Sequence, residues 1–550
     1  MATGTRTFGL HETLIEPQVL QPPPTRHALL AFLLTLAAIL HIGTAGWSDI
    51  HNGVEGRNAV AAVRIVQGET TELRSESPFA SWLTTGSFKL FGVSATAARI
   101  PIALAMLGAI ACTFLIGERL VDYWRGFIAG LIHLCSLGAF IWGRVVTPEP
   151  IFAALLGGAI FCLVCGFQRQ QTRRAWFAGV WGFVVLGVLT KGTLGLLYPA
   201  AIIVILAALY RQARLRFRAL LHWHFLLPFG ALLGSWVIWR HLHNSGAPPE
   251  LLLFGDQGER ADGVPITSFL LDHLVWWFPA FLLILPSLSF ASRKIFRPHE
   301  FEFADALPLA WLAAGFIPLL VFPGRQDYQS ISVWSALALW TASAWDRAPR
   351  SLRLTGLGLV ALAGSALAFS AATIRPLSVP PFAIADAGGI RAMLVMIGLA
   401  VVIAFVAAAY FAWRERESLA MTIAMLGMVP VGLTMAEGVA RCGPSFSLAP
   451  VAQYLRPRLG EAGEVLYEGS SSAGSSLRFY LERDPLLVGD GPEASLNPDA
   501  ALERMATPRP VFLIIQKDRV PFWQEQLTER FHLYHQVTTS GRHVVLSNAP

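Results

Sequence analysis

Residues Trp47–Gly92 read W-S-D-I-H-N-G-V-E-G-R-N-A-V-A-A-V-R-I-V-Q-G-E-T-T-E-L-R-S-E-S-P-F-A-S-W-L-T-T-G-S-F-K-L-F-G, the first long polar connection in a chain otherwise built of apolar runs. Acidic Asp49, Glu55, Glu69, Glu72 and Glu76 alternate here with Arg57, Arg64 and Arg74. Val60, Val63 and Val66 recur at helical spacing in the first half, and Phe79, Trp82, Leu83 and Leu90 in the second. Amphipathic helices placed just after a membrane span are expected to lie along the bilayer surface. They hold carboxylates and guanidinium groups at the membrane–water boundary, a setting that suits a substrate with a lipid tail and a charged head.

Outward from this loop, apolar runs of spanning length, about twenty residues each, fall near 28–46, 96–117, 126–143, 148–167, 175–191, 193–210, 222–241, 268–289, 303–322, 328–345, 353–373, 390–412 and 418–436, about thirteen in all. With 54% hydrophobic and 14% charged residues and a mean hydropathy of +0.52, the chain is read as an all-α polytopic membrane protein, since soluble domains carry roughly a quarter charged residues. The net charge of +6 sits in short clusters between apolar runs. Such clusters are a topology signal and exclude a nucleic-acid footprint. Alternate connections carry Arg119/Arg125, Arg169/Arg173/Arg174, Arg211/Arg214/Arg216/Arg218, Arg293/Lys294/Arg297, Arg347/Arg350/Arg353 and Arg414/Arg416, which the positive-inside rule places in the cytoplasm. The opposite connections, 47–95, 143–149, 190–192, 242–267 and 323–329, then face outward. Five cysteines give no disulfide framework, and Cys162-x-x-Cys165 inside an apolar run reads as helix packing.

Three regions follow. Residues 1–27 form a cytoplasmic tail without a cleavable signal, 28–439 the membrane domain, and 440–550 an outer segment of different composition. In that last segment 464–467, 477–480, 511–515 and 543–546 read as strands, and 500–505 and 520–530 as helices. The expectation is a small α/β cap with neither a nucleophile nor a phosphate-loop motif.

Several residues can carry chemistry. Asp49 or Glu55 suits a general base that deprotonates or orients an acceptor hydroxyl. Glu55 also stands three residues after Asn52, the spacing of a capping box. Glu76, before Ser77-Pro78, suits a metal ligand or a helix-dipole partner. Glu149, in Thr147-Pro148-Glu149-Pro150, is an acid at the outer entrance of an apolar span and needs a partner or a task, and Arg144 is the nearest cation. Lys191 is a lone cation in apolar sequence and points to an anionic ligand or to snorkelling. Arg57, Arg260 and Arg325 offer forked donors for phosphate oxygens on the same face. Tyr328 reads either as an interfacial aromatic or as a substrate hydrogen-bonding group.

The segments N-G-V-E-G-R-N-A-V-A, S-E-S-P-F-A-S-W-L and S-F-K-L-F-G-V-S-A-T-A-A-R-I-P, with L-T-K-G at 189–192 and T-P-E-P at 147–150, resemble the motifs of glycosyltransferase family 39 and the aminoarabinose transferase group, integral-membrane enzymes of the GT-C fold. The resemblance covers residues 28–345 and continues only as architecture beyond them. It implies inverting transfer of a sugar from a polyprenyl-phosphate donor to a lipid, glycan or protein acceptor, on the periplasmic side of a bacterial inner membrane. Carried over, Glu55 and Arg57 match the acid and base of D-E-x-R, Glu76 a divalent-metal ligand, Glu149 the second-loop acid and Lys191 the lysine of L-T-K-G. Arg260 and Tyr328 fall at phosphate- and substrate-contacting loop positions. Val54 replaces the acid expected before Glu55, leaving Asp49 as the nearest substitute. Ser77 replaces a lysine, and Gln257 stands where a histidine is expected. The rival readings are a lipid or solute transporter, against which the absence of two related halves argues, and a catalytically inactive scaffold of the same fold, which Val54 suggests.

Overall fold

The computed structural model describes residues 24–69, 77–169, 171–243, 263–284, 302–322, 324–373, 387–460, 462–529 and 534–549. Helices occupy the expected apolar runs, beginning with Pro24–His41 and ending with Met428–Arg441. Six of them (Ala95–Leu120, Glu149–Gln168, Phe303–Val321, Arg350–Thr373, Gly388–Trp413 and Glu417–Arg441) are long and apolar enough to cross a membrane, and Thr25–His41, Leu194–Leu209 and Ile266–Trp276 are shorter apolar helices. The 126–143 run is interrupted. The Ser136 hydroxyl bonds back to the Ile132 carbonyl, the N–H of Leu137 goes to the carbonyl of Phe278 instead, and the helix restarts at Leu137.

Helices Glu149–Gln168 and Arg173–Lys191 form an antiparallel hairpin joined by a short connection. Small residues let them approach closely. A Cβ on Gly158 would meet the Phe183 ring at 2.7 Å, and one on Gly179 would meet Cys162 Sγ at 2.9 Å. Cys162 and Cys165 are accordingly buried packing groups. The two helices span 20 and 19 residues, so at about 1.5 Å per residue the first residue of one returns level with the last residue of the other. That equality sets Glu149 beside Lys191.

The polar loop folds into two helices, Val54–Gln67 and Pro78–Phe91. Only the second presents an apolar face outward, with Trp82, Leu90 and Phe91 exposed. The first turns Ala59, Ala62 and Val63 inward against Phe88, Ala97, Ile102, Ile151 and Leu155. The expectation that both would lie against lipid is corrected for the first, whose valine stripe packs on protein.

The C-terminal segment forms a five-stranded sheet of order β2-β1-β3-β5-β4, with β1 Glu464–Glu468, β2 Leu486–Val488, β3 Val511–Gln516, β4 His535–Ser540 and β5 His543–Ser547. Strand β1 runs parallel to β2 and β3, whereas β5 is antiparallel to β3 and β4. Along β3, Val511, Leu513 and Ile515 face the helices Pro498–Met505 and Val520–Glu529, while Phe512 and Ile514 face Ala449–Leu455 and Ser475–Leu481. Both faces are covered, which explains the unbroken apolar run in that strand. The strand expected at 477–480 is a helix, Ser475–Leu481. Its helical turn sends Leu477 and Leu481 into the sheet core and Phe479 into the cluster around the first loop helix, a division that a strand of period two would not produce.

Candidate functional site

Glu55 lies in the first turn of the first loop helix and is 2% exposed. Arg99, the fifth residue of Ala95–Leu120, donates from Nε to Oε1 at 2.8 Å and from Nη2 to Oε2 at 2.9 Å. The main-chain N–H groups of His51 and Val146 add bonds to Oε2 at 2.9 Å and Oε1 at 3.3 Å. Four donors fill a carboxylate's capacity, so none is left for a substrate. Burial alone would raise this carboxyl, but the Arg99 guanidinium and the His51 groups outweigh it and hold it below its ordinary value. The expected capping box is replaced by this arrangement. Gly53 occupies the N-cap at φ 82, and Glu55 bonds His51 rather than Asn52. The Asn52 side chain instead accepts from Ser476 N and Oγ at 3.0 and 2.6 Å.

Asp49 is half-buried and held from two sides. Its main-chain carbonyl accepts from Arg99 Nη2 at 2.8 Å, and its Oδ1 accepts from the Tyr480 hydroxyl at 3.1 Å. Tyr480 in turn accepts from Ile50 N at 2.9 Å. The second Asp49 oxygen has no hydrogen-bond partner among the described residues. The sheet domain therefore contributes a hydroxyl directly to this carboxylate.

Glu149 is 4% exposed and pairs through Oε1 with Lys191 Nζ at 2.8 Å. Among the described residues its Oε2 is buried without a partner, as are the Thr147 and Thr193 hydroxyl oxygens. Lys191 has an internal counter-ion, and Arg144 is not the partner of Glu149. Arg144 instead donates to the Thr44 carbonyl and lies over the Phe140 ring at 5.2 Å. The two centres adjoin through the chain: Val146 N reaches Glu55, Asn58 Nδ2 reaches Val146 O at 2.8 Å, and Glu149 follows three residues on.

Of the remaining candidates, Arg325 and Tyr328 are engaged elsewhere among the described residues, and Arg57 faces the sheet domain. Arg57 is half-buried and lines a cleft against the sheet domain. Arg325 gives Nε, Nη1 and Nη2 to the carbonyls of Leu319, Val264 and Leu320 at 2.9, 3.0 and 3.2 Å, capping the end of Phe303–Val321. Tyr328 packs against Trp142 in a tilted arrangement, with ring centroids 5.7 Å apart. Arg260, Glu76 and Gln257 lie outside the described residues. Among the described residues no group of three or more His, Cys, Asp or Glu side chains is placed to hold a metal.

Three residues that sequence reasoning did not single out matter here: Arg99, Tyr480 and Asp327. Asp327 accepts from Trp276 Nε1 at 3.1 Å through Oδ2 and buries Oδ1 without a partner among the described residues. Burial raises its carboxyl, opposed by the Trp276 bond. Arg99 carried a readable signal, as an arginine near the start of an apolar span.

The described residues combine a membrane-type helical fold, paired and half-paired charges at one end of a helix hairpin, and a small α/β domain packed against the first loop helix. The family model described as dolichyl-phosphate-mannose-protein mannosyltransferase matches residues 75–239. The chain is similar to ArnT from Cupriavidus metallidurans in the apo state, with 18% identity and a TM-score of 0.78 over 96% of this chain and 98% of that one. It is also similar to the same protein bound to undecaprenyl phosphate, with 18% identity and a TM-score of 0.77 over 95% and 98%. The archaeal oligosaccharyltransferase AglB from Archaeoglobus fulgidus, in complex with an inhibitory peptide and a dolichol-phosphate, aligns at 12% identity and a TM-score of 0.51 over 92% of this chain and 71% of that one. No curated protein sequence matches the chain.

Proposed function

We propose that this chain is a membrane glycosyltransferase that moves a sugar from a polyprenyl-phosphate donor to a lipid, glycan or protein acceptor, with inversion, on the periplasmic side of a bacterial inner membrane. The observation that carries the reading is the free, buried Glu149 oxygen beside Lys191, at the head of a spanning helix. It is joined by the fold shared with ArnT across nearly the whole chain. A buried carboxylate oxygen without a donor is costly, and a substrate hydroxyl or water would relieve it. In the mechanism, Asp49 accepts the proton of the acceptor hydroxyl as it attacks the anomeric carbon. Lys191, with Arg260, neutralises the departing phosphate, where charge develops in the transition state. Glu149 orients both Lys191 and a sugar hydroxyl. If a divalent ion is held at Glu76, it would help neutralise the departing phosphate, and EDTA and Glu76→Gln should then each lower transfer.

The test is glycosyl transfer from a polyprenyl-phosphate sugar in membranes carrying Asp49→Asn or Glu149→Gln. Full activity in both variants removes the acid roles. One observation favours a second reading, an inactive scaffold: the motif acid Glu55 is wholly committed to Arg99, His51 and Val146, and Val54 stands beside it. Photocrosslinking of a polyprenyl-phosphate probe without any transfer would support that reading.

A further inference from the structure

The first loop helix and the sheet domain enclose a cleft of ≈130 Å³ lined by Arg57, Val60, Ala61, Arg64, Ser471, Ser475 and Arg478. All of its charged lining groups are guanidiniums. Arg64 and Arg478 are held in place by sharing Asp484, at 3.0 and 2.7 Å. Arg57 has no hydrogen bond or ion pair among the described residues, and neither has the Ser471 hydroxyl. The nearby carboxylates Glu69, Asp484 and Glu493 bond to Arg64, to the two paired arginines and to the Ser471 main chain, and none of them lines the cleft. An unspent forked donor, two further guanidiniums fixed in orientation and a free hydroxyl form a receptor for a tetrahedral oxyanion.

We infer that this cleft binds a phosphate monoester, which bridges the loop helix to the sheet domain. The inference does not rest on glycosyl transfer. Its ligand can come from a membrane lipid headgroup or from a soluble phosphate, because both present the same oxygens. Binding there ties Arg57 of the loop to Ser471 and Arg478 of the domain, and so stiffens the contact that also holds Tyr480 against Asp49.

The test uses the full-length purified protein. Glucose 1-phosphate is titrated in detergent, and phosphatidic acid is supplied in nanodiscs against a phosphatidylcholine background. Phenylglyoxal labelling of Arg57, read by mass spectrometry, reports occupancy. At least one phosphate source should protect Arg57, and the one that protects at the lower concentration identifies the ligand. Arg57→Ala should weaken binding roughly 10- to 100-fold, with an unchanged melting temperature because that side chain has no partner among the described residues to lose. Arg478→Gln should weaken it as well, and Arg504→Ala, on the far side of the sheet domain, should not. Labelling of Arg57 unaffected by either source, or wild-type affinity in both Arg57→Ala and Arg478→Gln, would overturn the inference, whatever the transfer assay shows.

Discussion

Two buried carboxylates, Glu55 and Glu149, stand at the same end of the helices, and each meets one cation. The difference is saturation. Glu55 receives four donors and is walled in by Arg99, His51 and Val146, whereas Glu149 receives one and buries its other oxygen unpaired. A saturated buried acid has found its partners within the fold, and its worth is structural. A half-satisfied one imposes a standing cost, which a fold retains where something else completes the shell. On the proposed function, Glu55 is thus the brace, and Glu149 is assigned to the site.

Breaking the brace should produce the largest effect. Glu55→Gln or Arg99→Met leaves an unpaired charge or unfilled donors in a dry setting, which costs roughly 3–5 kcal/mol. The expected result is a sharply lower melting temperature in detergent, together with loss of monodisperse protein on size exclusion. Should Glu55→Gln instead melt like the wild type and lose only transfer, the assignments of the two acids would exchange.

Glu149→Gln is the counterpart. The amide oxygen can still accept from Lys191, so the melting temperature should change little, while transfer falls about a hundredfold or more. Lys191→Met should be worse for stability, because it strands a buried carboxylate. A Glu149→Gln variant that unfolds as readily as Glu55→Gln would erase the distinction between brace and site.

The membrane helices were legible because spanning length and alternating basic clusters are written locally. Glu149 and Lys191 each stood out as charges in apolar sequence, but their pairing follows from two helices of matched length, which periodicity does not express. The Asn52–Glu55 spacing announced local capping, and the structure spends both side chains elsewhere, on Arg99 and on Ser476. Tyr480 was illegible for a plainer reason: it lies 431 positions from the carboxylate it contacts. Its segment, S-S-L-R-F-Y-L, is also too short for period alone to separate helix from strand.

That remote contact gives the third prediction. Tyr480→Phe removes the donor to Asp49 Oδ1 and the acceptor for Ile50 N, losing two bonds of about 1 kcal/mol each. If Tyr480 positions Asp49, kcat should fall roughly tenfold with the donor KM unchanged, and the pH profile should shift. A lower melting temperature with normal kcat would show that the hydroxyl serves docking alone.

The smallest expected effect separates the roof from the site beneath it by pH. His543 in β5 is 9% exposed, and burial, aided by Arg542, lowers its imidazole to about 4. Its unfolded-state value is near 6.5, so as the pH falls the unfolded chain takes up the proton first. The stabilisation is therefore complete above pH 6.5 and drains away between 6.5 and about 4, amounting to roughly 3 kcal/mol at most. Hydrogen exchange of the Val511–Gln516 strand should accelerate over that window, and His543→Gln should flatten the response. Glu55, held below its ordinary value, keeps its full contribution down to the ordinary carboxylate range and loses it only between there and its lowered value, so the brace should outlast the sheet domain on acidification. Loss of protection in the first loop helix before β3 would reverse that order and with it the ranking of the two regions.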